Sequence, residues 1–144
     1  MANSDAAVIE ARYRKEHADN PAMLSSVEDV DRFVDALRDG SAGENLAQLH
    51  SLSRPLLSSG CPDHELLVGV NGASNVGMLA WMDASGNFAT LGVSEQQARG
   101  TYSIMGEWTE FPEDVEVPLE VIRQAVKDFL ISEGRPTCVE WQTE

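Results

Sequence analysis

The chain has 144 residues, 42% of them hydrophobic, with 24 acidic against 10 basic side chains and a formal net charge of −14. That length fits one domain able to bury about 70% of the surface its unfolded form exposes, with no need of staples. The charge argues against nucleic acid or an anionic membrane as partner, because phosphates repel such a surface.

The first residues, through Asp19, lack the apolar core of a secretory signal, and no run approaches the ~20 apolar residues of a membrane span. The chain therefore reads as cytosolic, with Cys61 and Cys138 as reduced thiols outside any disulfide framework. Ala7–Tyr13 is short and partly β-branched, and predicts a first strand. Ser26 is placed as an N-cap, with Glu28 and Asp29 in the first turn of a helix over Val27–Arg38. Val27, Val30, Phe33, Val34 and Leu37 recur at helical spacing, Gly40 stops the run, and Asp31, Arg32, Asp35 and Arg38 mark the outer face. Asn45–Ser53 carries leucines at helical spacing, but its serines and the following Arg54-Pro55 favour a strand. Leu66–Val70 and Val76–Asp83 flank Asn71-Gly72 as a hairpin. The second of these strands is apolar on both faces, which predicts a central strand covered on both sides. Ser85-Gly86-Asn87 turns the chain into Phe88–Val93, and Thr101–Phe111 reads as one longer strand stopped by Pro112. On that strand Tyr102, Ile104 and Trp108 would share one face, with Met105 and Phe111 on the other. Pro118 opens a second helix whose Leu119, Ile122, Ala125, Val126, Phe129 and Leu130 form one face. Gly134 and Pro136 end it, and Thr137–Trp141 is the last strand. The turns between the middle strands are too short for crossovers, so the prediction is a single α+β domain over 1–144 with a largely antiparallel sheet, in the order β-α-β-β-β-β-β-α-β.

The charge is uneven along the chain. Residues 1–54 hold ten acids and six bases, whereas residues 55–122 hold ten acids and only Arg99. Glu107, Glu110, Glu113, Asp114 and Glu116 surround Trp108 and Phe111, forming an acidic, aromatic-punctuated rim suited to a basic protein partner. The alternative to a docking face is a surface that only keeps an acidic protein soluble. Catalytic signals are weak by comparison. His17, His50 and His64 lie in unrelated segments, and no serine sits in a nucleophile elbow. Cys61 and His64 could supply two metal ligands, short of the three or four a zinc site needs. The glycines of VGVNGASNVG have no lysine or helix after them to make a phosphate cradle, and hairpin turns explain them. Trp81, Trp141 and Cys138 read as packing residues.

The segment EFPEDVEVPLEVIRQAVKDFLISEGRPTCVEWQ resembles the C-terminal signature of a bacterial immunity-protein family, the first-numbered one of polymorphic toxin systems. The matching residues are Phe111-Pro112, Val117-Pro118, Ala125, Phe129, Arg135-Pro136 and Trp141. The early helix, Arg54-Pro55 and the strand GMLAWMD fit the same pattern. The resemblance implies a non-enzymatic antitoxin, without catalytic residues, metal or cofactor, that occludes a cognate toxin, particularly a nucleic-acid deaminase, as a one-to-one complex. Glu107, Trp108, Glu110, Phe111, Glu113, Asp114 and Glu116 are the toxin-binding candidates, with Asp31 and Asp35 of the early helix as the fallback surface. A different class stays open beside it: a small-ligand or enzymatic pocket against the sheet, using Tyr102, Glu107 or His64. A structural subunit is the third reading, and a large apolar patch on an edge strand would mark it.

Overall fold

The computed structural model describes residues 8–40, 44–92, 100–104, 107–111 and 114–143, with backbone alone at Thr101, Glu107, Trp108 and Glu110. In chain order the elements are β1 (Ile9–Arg12), a 3-10 turn (Lys15–Ala18), β2 (Ala22–Leu24), α1 (Val27–Arg38), β3 (Leu46–Ser51), β4 (Glu65–Asn71) and β5 (Val76–Asp83). Then follow β6 (Gly86–Thr90), β7 (Gly100–Ile104), β8 (Glu107–Phe111), β9 (Val117–Pro118), α2 (Leu119–Ser132) and β10 (Trp141–Thr143). Among the described residues the main sheet runs β10-β6-β5-β4-β3-β1-β2, with β9 added against β5, and every pairing is antiparallel. The α+β prediction holds.

Local chemistry explains the helices. The Ser26 hydroxyl accepts the Asp29 N–H at 3.1 Å, satisfying one of the donors that a helix start leaves unpaired. Val30, Phe33, Val34 and Leu37 of α1 are buried, while Val27 is 38% exposed, so the apolar face begins one turn later than predicted. All six predicted apolar positions of α2 are buried. Both helices cover one sheet face, joining Leu49, Leu66, Val68, Leu79 and Trp81 in one core cluster. On the other face Leu46, Met78, Ala80 and Ala89 meet Tyr102 and Val115. β5 is therefore central and covered on both sides, as its two apolar faces require.

Several boundaries differ from the prediction. Thr101–Phe111 is not one strand but the hairpin β7–β8, with Ile104 opposite Glu107 and Gly100 opposite Phe111. Hydrogen bonding between the two halves satisfies backbone groups that a lone strand would leave open. Phe111 accordingly shares the Tyr102 and Ile104 side, the three meeting at one core cluster, instead of opposing it. The last strand is Trp141–Thr143, because the chain after Pro136 is first tied back to α2 by the Thr137 N–H on Asp128 Oδ2 at 3.1 Å. Cys138 is exposed and Trp141 only partly buried, so neither is the interior packing residue predicted. β6 ends at Thr90, short of Val93, which lies outside the described residues. β2 was not predicted at all.

α2 ends on Glu133, whose φ of 65° is left-handed, and the Gly134 predicted to stop the helix follows it. A side chain in that conformation costs about 1–2 kcal/mol that glycine avoids. Glu133→Gly should raise the melting temperature by a few degrees, since part of the gain is returned as unfolded-state entropy. Thermal unfolding of the two proteins checks this, and a lower midpoint would refute it.

Candidate functional site

The hairpin β7–β8 positions the acidic segment. Its Tyr102 ring lies over Gly69 of β4, where an added Cβ would come within 2.8 Å of Tyr102 Cδ1, so only glycine lets the hairpin seat. The Tyr102 hydroxyl donates to Glu116 Oε2 at 2.5 Å. Burial, and then Glu116, push the Tyr102 pKa up, which keeps the phenol neutral and donating. Asn45 clamps the other strand end, its Oδ1 accepting the Ser103 N–H at 2.8 Å and its own N–H donating to the Ser103 carbonyl. The chain after the hairpin is pinned to β6: the Thr90 hydroxyl donates to the Val115 carbonyl at 2.6 Å, and the Gly92 N–H to that of Asp114. An added Cβ at Gly92 would meet the Glu116 carbonyl at 1.8 Å.

Of the seven predicted toxin-binding residues, the structure describes three side chains. Asp114 is exposed, Phe111 packs partly against Tyr102 with ring centroids 6.3 Å apart, and Glu116 is half-buried on the phenol. Glu107, Trp108 and Glu110 are placed by backbone in β8; their side chains, and all of Glu113, lie outside the described residues.

A second feature opens at one end of the central strands. His50, Glu65 and Met82, at the far ends of β3, β4 and β5, line a cavity of about 820 Å³ with Arg54, Leu57, Cys61, Asp63, His64 and Asp83 among its other walls. Arg54 organises it. Its Nε and Nη2 bind the two Asp63 oxygens at 2.9 and 3.2 Å, its Nη1 donates to the Glu133 carbonyl at 2.9 Å, and its guanidinium lies 5.7 Å from the Trp81 ring centroid. His64 is sealed: Nε2 accepts the Ser51 N–H at 2.8 Å, which leaves the proton on Nδ1 to bond Asp63 at 2.9 Å. With both nitrogens spent, this imidazole has no lone pair to offer a substrate. Tyr102 belongs to the core cluster under the hairpin, whereas the His64 ring packs on Trp81 and Phe129 on the helix side. Tyr102 and His64, two of the three residues of the pocket-enzyme reading, are thus not brought together, and the Glu107 side chain lies outside the described residues.

Burial holds the His64 pKa below its ordinary value, against the upward pull of Asp63. A histidine that is harder to protonate folded than unfolded stabilises fully above about pH 6.5, and that contribution is lost as pH falls below it. The melting temperature should therefore drop between pH 7.5 and 5.5, with His17, also lowered by burial, acting in the same direction. Ring-resolved NMR titration placing the His64 midpoint at or above 6.5 would contradict the assignment.

The remaining candidates resolve into structure. Asp31 and Asp35 face α2, where Arg123 Nη1 reaches Asp31 Oδ1 at 3.2 Å, Lys127 pairs with the same carboxylate, and Arg123 Nη2 bonds Asp35. Their charges are already matched. His17 Nδ1 accepts the Tyr13 and Arg14 N–H groups. Among the described residues no three His, Cys, Asp or Glu side chains converge as a metal site, and the VGVNGASNVG glycines form the β4–β5 turn and its flanks. No helix of the described chain is long and apolar enough to cross a membrane.

The described chain is thus an α+β protein with a hairpin pinned across its sheet and an imidazole sealed by its own backbone and Asp63. The chain matches the family described as Immunity protein Imm1 over residues 18–143, and it belongs to that family. It is an immunity protein, an antitoxin that neutralises a toxin. No curated protein matches it. Among solved structures it is similar to a hypothetical protein from Neisseria gonorrhoeae, at 10% identity, covering 95% of this chain and 96% of that one with a TM-score of 0.45.

Proposed function

We propose that this immunity protein neutralises a basic toxin domain that acts on nucleic acid, a deaminase, by forming a one-to-one cytoplasmic complex that occludes the active site. Its contact set is Glu107, Trp108, Glu110, Phe111, Glu113, Asp114 and Glu116, and it needs no cofactor or catalytic step of its own. The observation that carries the reading is where the sequence concentrates its excess of acids. Acids of α1 are met by Arg32, Arg38, Arg123 and Lys127, whereas residues 55–122 contain ten acids and only Arg99. A toxin groove built for phosphates is basic, and carboxylates at the immunity surface stand in for its substrate. A contact area of about 1,600 Å² would be ordinary for such a pair.

The test is titration of the cognate toxin domain, assayed for deamination of single-stranded DNA. Activity should fall linearly and vanish near one equivalent. Undiminished deamination at excess immunity protein would overturn the proposal, and inhibition of a nuclease domain in its place would overturn the deaminase assignment alone.

A further inference from the structure

The cavity beside the chain 52–63 is not part of the contact set just given, and its chemistry is specific. Arg54 is turned towards its own fold, with Nε, Nη1 and Nη2 each giving one N–H to Asp63 or the Glu133 carbonyl. His64 likewise bonds Ser51 and Asp63. Beside them the cavity holds free acceptor capacity. Glu65 Oε1 takes one bond, from Gln48 Nε2 at 2.9 Å, and no described group bonds its Oε2. His50 is only 8% exposed, and its buried Nδ1 has no hydrogen-bond partner among the described residues. Its Nε2 stands 3.7 Å from Glu65 Oε1, too far for a hydrogen bond, so the ring and the carboxylate both lack a close partner on that side. A buried polar atom without a partner is costly, and the open carboxylate oxygen points to a group that brings N–H.

The walls fit the rest of such a group. Leu57, Pro62 and Met82 line the cavity with carbon, suited to an aliphatic stem. Leu57 of this wall is 53% exposed, and Leu52 and Leu56 of the same stretch of chain are 50% and 63% exposed. The chain holding them is preformed. Leu57 N–H donates to the Cys61 carbonyl and Gly60 N–H to that of Leu57, both at 2.8 Å; Leu56 bridges Pro62, and Arg54 grips Asp63. A rigid display of this kind loses little entropy on binding.

We infer that this cavity receives an arginine side chain of the toxin, its guanidinium on Glu65 beside the His50 ring and its stem along Leu57 and Met82. The inference rests on the immunity reading for its partner, but not for its chemistry. Agmatine, which carries the same stem and guanidinium, is the first probe. Its titration should give saturable NMR shifts at the amides of Leu57, Glu65, Met82 and Asp83, at least fivefold weaker in affinity for Glu65→Gln, with glutarate giving none. Shifts that do not saturate, or that are equal in Glu65→Gln, overturn the site. Against the toxin domain, Leu57→Asp and Glu65→Lys should each weaken affinity tenfold or more at an unchanged melting temperature. Parent-like affinity in both overturns the proposed contact. A protein that binds agmatine here but no toxin would refute the immunity reading and leave the guanidinium site in place.

Discussion

Phe129→Ala should destabilise the fold by about 3–5 kcal/mol, the largest single-residue effect expected here. The ring is fully buried, 5.8 Å from Trp81 and 5.7 Å from His64 between centroids, so its removal opens a void where α2 meets the sheet. The surrounding groups cannot collapse into it cheaply, because His64 is fixed by Ser51 and Asp63. Against a total stability of about 5–15 kcal/mol, the loss should lower the melting temperature by roughly 10–20 °C. Trp141→Ala should cost less than half as much. Its indole is partly buried in the edge strand β10, held by Nε1 on the Pro136 carbonyl at 2.9 Å and lying 5.8 Å from the Arg135 guanidinium. Equal losses for the two variants would show that the edge strand is as much a part of the core as α2.

The elements legible in the sequence are those whose signals are local. Ser26 and Gly40 bracket α1, and six apolar positions of α2 repeat at helical spacing. β5 announced its central place because both faces are apolar. What misled was continuity of pattern. Tyr102, Ile104 and Trp108 fall on one face of a continuous strand pattern across Gly106, and nothing local says that the halves pair with each other. β2 is three residues long and is specified by its pairing with β1, not by its own composition.

The cavity was illegible for a related reason. Its walls come from β3, β4, β5 and the chain between β3 and β4, and the pairing of Arg54 with Asp63 exists only once that chain closes. Sequence reasoning weighed Cys61 and His64 as metal ligands, but the fold turns His64 inward onto backbone and leaves Cys61 exposed. One signal was available. Leu52, Leu56 and Leu57 sit among serines and a proline with no periodic pattern to bury them, and apolar residues outside any amphipathic element are candidates for a partner's surface.

Reversing Glu107, Glu110 and Glu113 to Lys should slow association with the toxin domain by about 10- to 100-fold at low ionic strength. The changes convert an attraction into a repulsion along one segment, and charge near an interface acts first on encounter. An unchanged melting temperature is the control that separates this effect from loss of the fold. Salt separates this from a lost contact. At 0.1 M the screening length is about 10 Å, so raising salt should slow the parent while speeding the reversed variant, and the two rates should converge. Trp108→Ala should behave differently, with association near the parent's and dissociation at least tenfold faster, as for an aromatic anchor that leaves water on binding. Stopped-flow kinetics at two ionic strengths distinguish the cases. If triple reversal leaves the association rate as it was, the segment 107–116 serves solubility. The encounter surface is then the remaining acidic face, where Glu65 and Asp83 line the cavity and Glu65→Lys should carry the salt-dependent loss.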